Sequence, residues 1–205
     1  MKNKSDEILK ELLGSFANLD YVHPKDIPNI DLYMDQVLQF LEDELNDMRR
    51  DEDDKIMTKT MINNYAKAKV LPAPEKKKYS RDHVLMMIFI YYMKNFLSIK
   101  DISAVLGPIT DKYFGGKSQL SFYDVYTELV NLEQPQAKAL VKDVIKKYSA
   151  SMNSFEDMPG EDGDELRNFM FICMLCFDVF IKQKMIQQFI DSAMEKSEQT
   201  SESGE

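Results

Sequence analysis

Apolar residues recur along this chain at spacings of three and four, and strict alternation of the strand type is almost absent, so the pattern predicts amphipathic helices. Ile8, Leu9, Leu12, Leu13 and Phe16 form a short stripe that gives way to an irregular segment around Pro24 and Pro28. From about Asp31 to Met48, one face carries Tyr33, Val37, Phe40, Leu41, Leu45 and Met48. The opposite face carries Asp35, Gln36, Gln39, Glu42, Asp43 and Asp47 and is strongly acidic. Residues 49–54 read as a solvated loop, after which Thr58 can cap a short helix over 58–69 that must end before Pro72. The segment 72–80 holds Pro72, Pro74 and three consecutive lysines, which suits a wing or at most a short hairpin. Helices are then expected over 82–96, 99–106, 122–131, 135–149 and 164–194. Ser80, Ser98 and Ser121 serve as caps, Gly107-Pro108 as a stop, and Pro135 as a first-turn residue. The helix over 82–96 is apolar nearly all round and should be central to the core. Residues 151–163 read as a loop, and the Ser/Glu/Gly-rich tail 196–205 reads as disordered.

The chain has 205 residues, 44% hydrophobic and 30% charged, which suits a soluble protein of one domain or of a domain plus an appendage. Its longest apolar run, Phe169 to Phe177, is closed by Asp178 and is too short for a membrane span. The first residues, Met-Lys-Asn-Lys-Ser-Asp-Glu, are charged with no apolar region behind them, so a secretory signal is not expected and the cytoplasm is the expected compartment.

Net charge is −9, which by itself argues against a polyanionic partner, but the charge is unevenly placed. Residues 1–54 hold 6 basic and 15 acidic side chains, and residues 101–205 hold 10 and 18. Between them, residues 55–100 hold ten basic side chains against two acidic ones, Glu75 and Asp82. Because charges are screened over about 8 to 10 Å in physiological salt, such an island can act on a ligand that never senses the distant acids.

Within the island, a helix over 58–69 would gather Met61, Ile62 and Tyr65 on one side and Lys59, Thr60, Asn63 and Lys67 on the other, with Asn64 at the flank. Asparagine can pair bidentately with adenine, threonine can touch a thymine methyl, and lysine can reach guanine or phosphate, so the exposed face carries the groups that base readout needs. Lys76, Lys77, Lys78 and Arg81 would lie beside it and neutralise phosphates, with Tyr79 as a further candidate DNA-binding residue. Tyr65 reads as a core residue.

Other candidate chemistry is weaker. Cys173 and Cys176 share a helical face, but their neighbours supply no positive charge and no histidine, so they read as small reduced hydrophobes. His23 and His83 have no ligand-spaced partner. The acidic run from Asp51 to Asp54 lacks the glycine and terminal glutamate of a calcium loop. No phosphate loop, activated nucleophile or catalytic carboxylate pair can be assembled, so neither an enzyme nor a cofactor is expected.

The ordered segments Thr58 to Tyr65, Lys69-Val-Leu-Pro72, Lys78-Tyr-Ser80, Phe96 to Ile102 and Leu106 together resemble the DNA-binding domain of MerR-type regulators. In those proteins a recognition helix leads through a leucine-leucine-proline exit and a basic wing to a helix pair. Ile62 and Tyr65 match the helix, Val70, Leu71 and Pro72 the exit, Tyr79 and Ser80 the wing end, and Phe96, Ser98, Ile99, Asp101 and Ile102 the last helix. Asn63, Asn64 and Lys69 depart from it, standing where the pattern has arginine, an aromatic and glycine. The connection over 49–57 is also longer and more acidic than a tight turn. The whole chain, including Leu32 to Gln36 and Met57 to Tyr65, is also similar to a bacterial family of uncharacterised proteins carrying such a domain.

The expectation is therefore an all-α protein. It has an N-terminal extension over 1–29, a MerR-like winged helix-turn-helix over 30–106, a helical C-terminal region over 107–195 and a disordered tail over 196–205. The resemblance implies a sequence-specific DNA-binding transcriptional regulator with double-stranded DNA as partner. Residues 164–194 are the candidate homodimer surface, and no membrane is involved. The alternative is a non-enzymatic protein-protein adaptor built on the same fold.

Overall fold

The computed structural model of the chain describes residues 10, 13–14, 21–51 and 53–202. It is mostly helical, and among the described residues the only sheet is a pair of two-residue strands. The stripe expected over Ile8 to Phe16 lies largely outside the described residues. Two compact units are present: a first of Tyr21–Val130 together with the chain from Phe189 onward, and a second built on Asn131–Gln188.

In the first unit, strand β1 (Leu32–Tyr33) leads into α1 (Met34–Leu45). Helix α2 (Lys59–Lys67), strand β2 (Lys78–Tyr79), α3 (Arg81–Met93) and α4 (Ile99–Tyr113) come next, and α5 (Phe122–Met152) begins. Every residue of α3 from His83 to Tyr91 is buried. At about 1.5 to 3 kcal/mol for each large apolar side chain removed from water, this helix is the centre of the unit. Around it, α1 buries Val37, Leu41 and Leu45, α2 buries Ile62 and Tyr65, and α4 buries Ile102 and Leu106. Phe89 meets Phe122 and Tyr126 of α5 edge to face at 5.8 and 5.5 Å. The buried Tyr126 hydroxyl donates to the Val22 carbonyl at 2.7 Å, which satisfies its polar atom and fixes the segment ahead of β1.

The helix starts arise from local chemistry. Thr58 Oγ1 accepts from Met61 N–H at 3.1 Å, and the Asp101 and Asp124 carboxylates accept from the Ser98 and Ser121 N–H groups at 3.1 and 2.8 Å. At Ser80 the reciprocal partner is a histidine, because His83 Nδ1 accepts the Ser80 N–H at 3.0 Å.

Several boundaries differ from the expectation. Residues 32–33 form a strand that pairs antiparallel with β2, Leu32 opposite Tyr79 and Tyr33 opposite Lys78, so the acidic helix starts only at Met34. Helix α4 continues through Gly107-Pro108 to Tyr113. Proline there removes one backbone hydrogen bond and crowds the preceding turn, a cost of about 3 kcal/mol. Tertiary packing holds the residues just beyond the helix: Phe114 meets His83 edge to face at 4.8 Å, and Gly115 N–H donates to Asp82 at 2.8 Å. The two helices expected over 122–131 and 135–149 are one helix that runs through Pro135. Helix α6 (Glu161–Glu202) starts earlier than expected and continues past Met194.

In the second unit, Lys147 of α5 pairs with Asp143 and, at 2.8 Å, with Asp178 of α6, while Tyr148 meets Phe171 edge to face at 5.3 Å. Arg167 donates to the carbonyls of Phe155 and Met158 at 3.1 and 3.3 Å and so ties the intervening loop to α6.

Candidate nucleic-acid interface

Helix α2 has the two faces its sequence dictates. Ile62 and Tyr65 point into the core, and burial pushes the Tyr65 phenol above its usual pKa. Lys59, Thr60, Asn63, Asn64 and Lys67 are all exposed on the other side. The helix ends in a Schellman arrangement, with Val70 N–H bonded to Tyr65 O and Lys69 N–H to Ala66 O, each at 3.0 Å. The residue this motif places in the left-handed region, where glycine is favoured, is Lys69, at φ 59°.

The turn ahead of β2 repeats this choice. Glu75 and Lys78 bridge across a two-residue turn, and both turn residues, Lys76 at φ 49° and Lys77 at φ 64°, are left-handed. This is the backbone of a type I′ turn, for which asparagine and glycine are preferred. A left-handed conformation costs an L-residue other than glycine about 1 to 2 kcal/mol. Three of the four described non-glycine residues with positive φ are thus lysines of one basic segment, and all three are exposed.

The start of α2 and the wing strand come together on residues 33–35. Lys59 Nζ lies 2.6 Å from Asp35 in the first turn of α1, with both side chains exposed. Lys78 Nζ lies 5.3 Å from the centre of the Tyr33 ring. The basic groups of α2 and β2 therefore flank one short stretch of surface, with Asp35 as an acid inside it.

Two expected contact residues are placed elsewhere. Tyr79 is only 5% exposed, its ring edge to face with His83 at 5.5 Å, because strand alternation turns it inward when Lys78 faces out. Arg81 donates to Pro24 O at 3.1 Å and stacks its guanidinium 3.5 Å over Tyr123, so its charge is engaged within the first unit. Tyr33, which the sequence pattern assigned to the apolar face of a helix, is instead 54% exposed beside the wing. The signal for it was the β1 pairing, which two residues cannot announce.

The chain matches the model of a family described as Domain of unknown function (DUF1836) over residues 22–129. It belongs to that family. The DUF1836 match coincides closely with the Tyr21–Val130 part of the first unit, so α2, the basic turn before β2 and the α3–α4 pair all lie inside the family domain. No curated protein and no solved structure matches the chain.

Other chemistry in and around the DUF1836 domain is sparse. Among the described residues, no group of three or more His, Cys, Asp or Glu is placed to hold a metal ion. The acidic loop is closed on itself, Asp51 accepting from the N–H groups of Asp53 and Asp54 at 3.0 Å each. Cys176 is exposed and Cys173 half-buried, both as free thiols. No described helix is long and apolar enough to cross a membrane.

Proposed function

We propose that this DUF1836 protein is a sequence-specific DNA-binding transcriptional regulator whose family domain is a MerR-like winged helix-turn-helix. The observation that carries this reading is the placement of Lys69, Lys76 and Lys77. Each stands where the backbone favours glycine or asparagine, and together they put three charges on a surface continuous in sequence with the exposed face of α2. Backbone conformation does not favour lysine at these positions, and phosphate neutralisation would account for the choice. In this reading Asn63 and Asn64 read adenine edges, Thr60 contacts a thymine methyl, and Lys59 and Lys67 reach guanine or phosphate in the major groove. The wing lysines position the protein on the backbone without reading sequence.

The same reading includes a homodimer through 164–194. On α6, Phe169, Ile172, Phe177, Val179, Phe180 and Ile181 are between 53% and 65% exposed. Phe169, Ile172, Phe177 and Phe180 share one side of the helix, with Val179 and Ile181 on its two opposite flanks, and this side is the candidate contact for a second protomer. A two-fold dimer would match a palindromic operator.

The test is selection of duplexes from a random pool by the purified chain. A recurrent motif, recovered with greater affinity than random duplex, supports the reading. Retention of duplexes without sequence preference, or no retention, contradicts it and favours the adaptor reading, to which the exposed α6 face would then belong.

A further inference from the structure

Tyr33 is the residue of β1 that faces away from the core. Its neighbour Leu32 is 6% exposed and opposite Tyr79, whereas Tyr33 leaves more than half of its surface in water. Its backbone is fixed on both sides: its N–H donates to Gln36 Oε1 at 2.8 Å at the start of α1, and in the ladder it lies opposite Lys78. The ring lies under the Lys78 ammonium, and two residues further on Asp35 holds Lys59 at the start of α2. Ile30, also prominently exposed, precedes it by three residues. An aromatic ring left half in water on a fixed backbone adds little to the core, yet lies on the ground between two basic elements.

We propose that Tyr33 is a DNA-contact residue, its ring laid against a deoxyribose and its hydroxyl donating to a phosphate between the groove entered by α2 and the strand gripped by the wing. The inference rests on the DNA-binding reading above. The occupant is argued from Lys78 over the ring and the exposed lysines of α2 and the 76–77 turn beyond it, with Asp35 held by Lys59 at 2.6 Å: a polymer that offers a phosphate line together with apolar sugar faces, a nucleic-acid backbone, fits this mixture of cations and an exposed ring. The contact is sequence-independent. By keeping Lys78 over its ring, Tyr33 also orients a side chain that would otherwise lose rotamer freedom on binding.

The chain contains no tryptophan, so Tyr33→Trp creates a single fluorophore at the site. Duplex from the selected pool is titrated into this variant, with anisotropy of labelled duplex measured in parallel. Leu120→Trp, at an exposed position outside the proposed surface, serves as control. The expected result is a change in the indole emission of Tyr33→Trp that saturates together with the anisotropy, and an unchanged emission from Leu120→Trp. Tyr33→Ala should bind about 5 to 10-fold more weakly with the salt slope of the wild type, because no charge is removed, while Tyr33→Phe, which keeps the ring against the sugar but loses the donor to the phosphate, should fall between the two. Duplex binding with no emission change in Tyr33→Trp and with Tyr33→Ala at full affinity overturns the inference and leaves the DNA-binding reading standing. Absence of duplex binding by the unmodified chain overturns both.

Discussion

His83 Nδ1 lies 3.0 Å from the Ser80 N–H and 2.8 Å from the Ser80 hydroxyl, so the first turn of α3 is closed by a neutral imidazole acting as acceptor. Accepting the N–H requires the lone pair on Nδ1, and an imidazolium has none. The ring is also buried between Tyr79 and Phe114. Desolvation pushes its pKa below 6.5, against the smaller opposing pulls of the Ala73 and Pro72 carbonyls and of Asp82 and Asp31.

A histidine whose pKa is depressed on folding contributes stability that is complete above its unfolded value, near 6.5, and is lost as pH falls from there through the folded value. The wild-type chain should therefore lose stability on acidification in this window. His83→Gln can keep the capping box through its amide oxygen but cannot take up the proton. It should be less stable at neutral pH, because the ring packing is gone, and flatter with pH. Urea midpoints of both proteins between about pH 5 and 7.5 check this, and parallel pH curves would count against it.

The left-handed lysines make stability and binding move in opposite directions. Lys69→Gly, and the pair Lys76→Asn with Lys77→Gly, should leave the denaturation midpoint unchanged or raise it, by up to about 1 kcal/mol per relieved residue. The same changes should weaken duplex binding. Loss of stability with unchanged binding would mean that these side chains support the fold.

In the second unit, Gly163 is held by close approach and not by conformation. A Cβ added there would sit 1.9 Å from the Met158 carbonyl oxygen, a backbone atom. Glycine to alanine inside a helix ordinarily gains about 1 kcal/mol. Gly163→Ala should instead destabilise the turn before α6, by about 2 kcal/mol or more, read as a fall in the thermal midpoint.

Most helices of the family domain were legible because their information is local. Ser98 with Asp101 and Ser121 with Asp124 are reciprocal caps within four residues, and the faces of α2 are set by 100° steps around Ile62 and Tyr65. Three features were not legible, each for a physical reason. Strand β1 is two residues long and exists through its pairing with Tyr79 and Lys78, some 45 residues away, so no periodicity marks it. Gly107-Pro108 is a local stop signal and Pro135 a local start signal, yet both lie inside continuous helices; in the first case Phe114 and Gly115, just beyond the helix, are held by partners in α3. At the candidate interface, the exposed face of α2 was readable. The inward turn of Tyr79 and the stacking of Arg81 on Tyr123 depend on partners distant in sequence.

The apolar face of α6 gives an assembly prediction. Phe177→Glu with Phe180→Glu leaves the Lys147–Asp178 pair and the Tyr148–Phe171 contact in place, since both turn toward α5. Sedimentation should show a dimer at micromolar concentration for the wild type and a monomer for the double variant. A wild-type monomer, free and on DNA, would remove the second protomer from the account.

The central claim is that the basic segment meets phosphates while the amides of α2 meet bases, and the salt dependence of duplex binding tests it most directly. Replacing Lys76, Lys77 and Lys78 together by alanine should weaken binding to the selected site and to random duplex about equally, and should flatten the slope of log affinity against log salt by roughly 0.9 for each phosphate no longer neutralised. Asn63→Ala should leave that slope nearly intact and cost about 1 to 3 kcal/mol on the selected site alone. An unchanged slope in the triple-lysine variant would contradict the account, because a wing that does not release counterions is not on DNA.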